Sequence, residues 1–215
     1  MTERYAIYYA PAADSALWRK AEAWLTQPEL LPLTETARRY GFHATIKAPM
    51  VLAEGTDRAG LEQALVAFSA VHGPVGMGRC GAHVIGGGFL ALTPIEQPPE
   101  LTDFAAELVE AFEDFRAPLE PEERERRLRA LLTPRQVELV DAYGYPYVFE
   151  EFQLHMTLTD RLPVELREPL QQRAEAWFVD ELAQPMMLDR LVVFHEAAAG
   201  EPFRRLDGDF MLRGT

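Results

Sequence analysis

The sequence predicts an α+β protein, and three observations carry that reading. Short runs with a period of two recur along the chain, and amphipathic helical stretches lie between them. The two kinds alternate without the strict strand–helix–strand rhythm of a nucleotide-binding fold. Tyr5 to Tyr9 reads as a strand ending at Pro11, and Asp14 is placed to cap a helix through Leu17, Trp18 and Leu25 that stops near Pro28. A strand is expected over 42–48. Asp57 to Val71 sets Leu61, Leu65 and Phe68 at helical spacing before Gly73-Pro74. The runs AHVI and FLALT flank Gly86-Gly87-Gly88 and predict a hairpin, since glycine reaches positive φ without steric cost. Leu101 to Phe115 puts Phe104, Leu108 and Phe112 on one helical face. In PEERERRLRALL a proline suits the first helical turn. Glutamates interleave with Arg126, Arg127 and Arg129, which predicts a solvated, self-paired face rather than a nucleic-acid patch. Helices over Pro134 to Ala142 and Pro163 to Leu182, a strand over 152–159, a strand from Leu188 to Phe194 and an edge strand in PFRRLDGDFML complete the reading.

The chain has 215 residues, of which 48% are hydrophobic and 26% charged, enough for a sizeable core in one large domain or in two small, tightly joined lobes. No apolar run approaches the length of a membrane span, so no membrane partner is expected. MTERYAIYYAP lacks the pattern of a secretory signal, and the single cysteine, Cys80, has no partner for a disulfide. A cytoplasmic location is therefore expected. The formal net charge of −13 disfavours long nucleic acid, whose phosphates need a basic surface. A small anionic ligand would need only a local pocket where a few cations converge.

RYGFHATIKAP poses the chemical question. Phe42, Ala44 and Ile46 alternate with His43, Thr45 and Lys47, so one face of the strand suits a core and the other carries imidazole, hydroxyl and ammonium. About half the chain later, FQLHMTLTD repeats the pattern: Phe152, Leu154, Met156 and Leu158 alternate with Gln153, His155, Thr157 and Thr159. One such strand is ordinary surface. Two in the same phase suggest two related lobes, each giving a strand with the same polar face. Two imidazoles across a cleft can act as general base and general acid, because histidine titrates at about 6.5. A hydroxyl two residues along shares the face and can donate to a phosphate oxygen.

The paired His-x-Thr strands, together with RYAIYYAP, RRYGFHATIKAP, FQLHMTLTDRL and GEPFRRL, resemble the two-histidine phosphoesterase superfamily. Its members include the RNA 2′,5′-ligase/cyclic phosphodiesterase-like enzymes. The flanking words resemble the branch associated with phosphonate-metabolism operons. The resemblance implies a single bilobal domain over 1–215 with pseudo-twofold symmetry, antiparallel sheet lobes around a concave cleft, helices outside, and metal-free, cofactor-free cleavage of a small phosphodiester. It implies His43 and His155 as the catalytic pair and Thr45 and Thr157 as phosphate-oxygen donors. For this branch the implied substrate is a ribose cyclic phosphate in phosphonate catabolism. Where the first copy continues to Lys47, the second continues to Thr159, so the cleft is expected to carry its extra cation on the first strand. Lys47, Tyr8, Arg39 and Tyr40 are the candidate substrate contacts.

Other readings compete. Gly76-x-Gly78-x-x-Gly81 matches a dinucleotide fingerprint in form, but the adjoining AHVIGGGFLAL reads as strand rather than helix. His72 ends a helix, His83 lies in the hairpin, and His195 comes after an apolar run from which it could face the cleft. A metal hydrolase would use histidine spacings that are missing here and would leave both threonines without a duty. A non-catalytic sensor of a phosphorylated metabolite and an RNA-end 2′,3′-cyclic phosphodiesterase would use the same cleft.

Overall fold

A computed structural model describes residues 2–214. In chain order its elements are β1 (Arg4–Tyr9), α1 (Ala16–Leu25), α2 (Glu35–Tyr40), β2 (Ala44–Met50), α3 (Arg58–Val71), β3 (Val75–Gly78), β4 (Cys80–Ile85), β5 (Phe89–Pro94), α4 (Pro99–Ala111), α5 (Pro121–Leu128), α6 (Pro134–Tyr143), β6 (Met156–Arg161), α7 (Val164–Trp177), β7 (Met186–Leu188), β8 (Arg190–Glu196), β9 (Arg204–Arg205) and β10 (Phe210–Met211). The α+β class holds.

The main sheet is antiparallel and runs β10-β8-β1-β2-β6-β5-β4, with β9 also paired to β8. The order is symmetric about its middle. β8, β1 and β2 lie on one side; β6, β5 and β4 lie on the other. Each side mixes strands from both halves of the chain, and the sides meet at one register pair, Ala44 opposite Met156. That seam carries the two sequence repeats.

Helices cover the sheet with the faces their spacing predicts. Leu61, Leu65 and Phe68 of α3 and Leu101, Phe104 and Leu108 of α4 are buried in the main core. Trp24 of α1 is fully buried there and donates its indole N–H to the Leu158 carbonyl at 3.1 Å. Burying a side chain of this kind stabilises by about 1.5–3 kcal/mol or more, and the hydrogen bond avoids the cost of an orphan donor.

Several boundaries differ from expectation for local reasons. Ser15, not Asp14, caps α1, because its hydroxyl accepts the Trp18 amide at 3.1 Å. α4 ends at Ala111 and passes into a 3₁₀ turn at Glu113–Phe115, and α7 ends at Trp177 rather than Leu182. Residues 42–43 and 152–155 approach their strands without belonging to them, so each catalytic candidate sits one residue before a strand begins. Asp189 divides the last apolar run into β7, which pairs with β3, and β8 in the main sheet. β3 therefore leads into strand β4, not into a helix, and the glycine fingerprint has no dinucleotide context. No helix among the described residues is long and apolar enough to cross a membrane.

Candidate active site

Local backbone chemistry fixes each imidazole. His43 Nδ1 lies 2.9 Å from the Gly41 carbonyl, and His155 Nδ1 lies 2.8 Å from the Gln153 carbonyl. A carbonyl only accepts, so in both rings Nδ1 carries a hydrogen and the neutral form keeps its lone pair on Nε2. The same tautomer thus arises twice, from a carbonyl two residues upstream each time. Thr45 Oγ1 stands 3.2 Å from His43 Nε2 and donates to it in that tautomer. Gly41 has φ +74°, and a Cβ there would meet the Phe194 ring at 3.1 Å, so glycine is needed to turn this carbonyl back onto His43.

The sheet then brings the two motifs together. Antiparallel pairing of Ala44 with Met156 puts His43 one register step from that pair toward Thr157, and His155 one step toward Thr45. Asp160, at the far end of the second motif, accepts the Thr36 and Ala37 amides at 3.0 Å each. It thereby holds the first turn of α2, the helix that leads into His43. A cavity of about 710 Å³ is lined by His43, Thr45, His155 and Thr157 together with Tyr8, Tyr40, Arg4, Arg126, Arg127 and Tyr145.

The packing around the two rings differs. Tyr8 stacks on His43 with centroids 3.7 Å apart at 16°, and Phe194 lies at 5.9 Å. Burial pulls the His43 pKa down to about 4, with the nearby His155 adding to the fall against the Gly41 hydrogen bond. His155 has no aromatic ring packed against it among the described residues.

The expected substrate contacts are distributed differently. Tyr8 floors the cleft but is 1% exposed, so it offers a ligand almost no surface of its own and stands behind His43. Tyr40 lines the cleft, backed by Phe203 at 5.0 Å. Lys47 needs correction. It is 3% exposed, donates to the Val109 carbonyl at 2.8 Å and pairs with Glu113 at 2.5 Å, away from the histidine cleft. The cause is a register shift between Thr45 and Lys47 in the pairing of β2 with β1, which breaks the alternation just after the threonine. A second shift comes after Thr157 in the pairing of β6 with β5, and Thr159 is fully buried, accepting the Leu90 amide. Arg39 is likewise corrected. It pairs with Glu196 at 2.5 Å and faces the neighbouring cavity rather than the histidines. His195 stacks on Tyr5 and binds Glu3, outside the cleft. His72 binds the Phe68 carbonyl and Glu107, and His83 binds Thr93.

Arg4, Arg126 and Arg127 line the cleft, although their sequence context does not single them out. Interleaved glutamates predict one acid for each α5 arginine. Instead Glu123 serves both Arg126 at 2.6 Å and Arg127 at 3.0 Å, while Glu122 and Glu125 form no ion pair among the described residues. The usable signal is the spacing: Glu123 stands three and four residues before the two arginines and cannot neutralise both. Among the described residues no group of three or more His, Cys, Asp or Glu is arranged to hold a metal ion.

A family described as "Protein of unknown function (DUF1045)" matches residues 45–204, most of the sheet and both threonines. The chain belongs to the DUF1045 family. This DUF1045 chain is 35% identical over 222 residues to "Ribose 1,5-bisphosphate phosphokinase PhnN" of Janthinobacterium sp. (strain Marseille), covering 93% of this chain and 49% of that protein. It is 34% identical over 217 residues to the protein of the same name from Laribacter hongkongensis (strain HLHK9), covering 94% of this chain and 50% of that one. The chain thus spans about half the length of the curated relatives it matches. Among solved structures it is similar to one described as "Crystal structure of phosphoesterase" (TM-score 0.45, 13% identity, 98% of each chain). It is also similar to "Crystal structure of E.coli LigT complexed with NADP+" (TM-score 0.45, 11% identity, 99% of each chain).

Proposed function

We propose that this DUF1045 chain is a phosphoesterase that opens a small cyclic phosphate or other small phosphodiester by two-histidine acid–base catalysis without a metal ion. The observation that carries the reading is the pair of imidazoles lining one cleft, each with Nδ1–H tied to the carbonyl two residues upstream and each followed two residues later by a threonine on the cleft wall. Nε2 is then the working atom on both rings.

The surroundings suggest the division of labour. His43, held near pKa 4, is neutral at physiological pH, and its Nε2 takes a proton from water as the water oxygen attacks phosphorus. His155, as the general acid, gives a proton to the leaving oxygen as its bond to phosphorus breaks, so one proton enters and one leaves the pair for each bond opened. The Thr45 hydroxyl, turned from His43 Nε2 to the substrate, and the Thr157 hydroxyl donate to the non-bridging oxygens where negative charge builds.

The names of the relatives support a sugar phosphate as substrate, and a ribose cyclic phosphate in phosphonate catabolism is the specific form proposed. The phosphokinase activity in those names is assigned here to the half of the relatives outside the match. This chain has two lysines, Lys20 and Lys47, and neither comes after a glycine as the phosphate-cradling loop G-x-x-x-x-G-K-[S/T] requires. An RNA-end 2′,3′-cyclic phosphodiesterase and a sensor of a phosphorylated metabolite are the competing readings for the same cleft.

The deciding experiment is turnover by EDTA-treated protein of a panel of ribose cyclic phosphates, nucleoside 2′,3′-cyclic phosphates and linear diesters. Hydrolysis of a ribose cyclic phosphate that His43→Ala removes is the expected result. Preference for nucleoside ends would select the RNA-end reading, and tight binding without turnover would select the sensor.

A further inference from the structure

The two imidazoles are anchored unequally. His43 has the Gly41 carbonyl, the Thr45 hydroxyl and the Tyr8 ring around it. For His155 the Gln153 carbonyl is the one polar partner among the described residues. The direction of that carbonyl therefore sets the direction of the ring. Residues 152–155 belong to no strand, so the backbone ladder of the sheet does not fix the peptide that carries it.

The ladder stops for an identifiable reason. β5 and β6 pair as far as Leu92 opposite Met156, and the same register carried on would set Pro94 opposite Leu154. Proline has no N–H to give, and β5 ends there. Gln97, three residues further on, supplies from its side chain what the strand no longer offers. Its Oε1 accepts the Leu154 amide at 2.8 Å, and its Nε2 donates to the Phe152 carbonyl at 3.0 Å. The amide orientation is fixed by these partners, since one can only donate and the other only accept. Nε2 also donates to the Thr102 hydroxyl at 2.8 Å, which braces the amide from α4. Pro98 follows Gln97 and keeps its backbone out of the helical region.

The clamp acts on the neighbouring peptide by simple geometry. In an extended chain the Phe152 carbonyl and the Leu154 amide point to one edge, and the N–H and carbonyl of the residue between them point to the other. Phe152 is extended. Gln97 occupies the first edge, and the Gln153 carbonyl is left on the opposite one, where His155 Nδ1 meets it at 2.8 Å. Gln97 itself lines neither cavity. We infer that Gln97 is a positioning residue for His155: it holds the backbone on both sides of Gln153, so that the Gln153 carbonyl takes Nδ1–H and leaves Nε2 free for the cleft. Its part in catalysis rests on the phosphoesterase reading, in which His155 is the general acid, whereas the hold on the ring does not.

Long-range proton–nitrogen NMR correlations of the histidine rings read which nitrogen carries the hydrogen. They are best taken at about pH 8.5, about two units above the usual histidine pKa of about 6.5. The wild-type protein should show Nδ1–H at both His43 and His155. In Gln97→Leu the His155 ring should become a mixture of the two neutral forms. His43, whose Gly41 carbonyl Gln97 does not touch, should stay Nδ1–H and serves as the internal control. Should the leucine variant not fold, Gln97→Glu keeps an acceptor for the Leu154 amide, sets a carboxylate against the Phe152 carbonyl, and should loosen His155 in the same way. On a compound that the wild type hydrolyses, kcat should fall about 10- to 100-fold with KM within about twofold, because a misplaced acid costs the chemical step rather than binding. A His155 that stays Nδ1–H in the folded variant, or that is Nε2–H in the wild type, would overturn the inference, and so would an unchanged kcat. A wild type that hydrolyses nothing would sink the phosphoesterase reading alone, since the ring measurement still decides whether Gln97 holds His155.

Discussion

The two histidine motifs are alike in backbone and unlike in packing. Each ring is fixed through Nδ1 by the carbonyl two residues upstream, each precedes a strand by one residue, and each is followed by a threonine and then by a break in strand register. His43, however, lies under Tyr8 and beside Phe194, whereas His155 has no ring against it among the described residues. Local geometry therefore sets the tautomer, and non-local packing lowers the pKa of His43. In the proposed mechanism that packing marks His43 as the base.

The largest effects should come from removing either imidazole. His43→Ala and His155→Ala should each lower kcat/KM by about 10²–10⁴-fold, with the double variant far less than multiplicatively worse, because both act on one transition state. Fully multiplicative losses would mean that the two sides of the cleft do not cooperate. Next come the hydroxyls. Thr45→Val and Thr157→Val keep the β-branched shape and should cost roughly 2.7–4 kcal/mol in transition-state stabilisation. The Thr45 loss should be the greater, since that hydroxyl also reaches His43 Nε2. Equal losses, read from single-turnover rates, would erase this distinction between the motifs.

The pH profile sharpens the comparison further. A base with pKa about 4 is unprotonated above that value, so kcat/KM should rise on an acidic limb near pH 4 rather than at histidine's usual value of about 6.5. Tyr8→Leu opens the ring to water and should move that limb upward by about one to two pH units. The sign for stability is set by the same shift. Because the folded pKa is depressed, the unfolded chain takes the proton first. His43 should thus cost roughly 3 kcal/mol of stability as pH falls from about 6.5 to about 4. Chemical denaturation of His43→Gln should show a flatter dependence over that window; an identical slope would place the titration elsewhere. The smallest effects belong to the histidines outside the cleft. His72→Ala and His83→Ala should leave kcat/KM within about twofold, since their partners are Glu107 and Thr93 on other surfaces.

Class, strands and the repeated pair are legible in the residues alone. Alternation of Phe42, Ala44 and Ile46, and of Leu154, Met156 and Leu158, is a local signal that survives folding because a pleated strand must point successive side chains apart. The Gly86-Gly87-Gly88 hairpin is legible too, and three positive-φ glycines make the turn between β4 and β5. The same alternation fails for Lys47, the next residue of that face after Thr45, while Thr159 stays on the cleft lining with no exposed surface. A register shift is decided by which strand lies alongside, and neither neighbour can be read from the motif. Arg126 and Arg127 are legible as a charged helix face but not as cleft residues, because spacing along a helix does not say what the helix packs against. Which histidine is desolvated is hidden for the same reason: Tyr8 and Phe194 reach His43 only because β1 lies between β2 and β8. Charge state depends on burial, burial depends on strand order, and strand order is set by the tertiary fold.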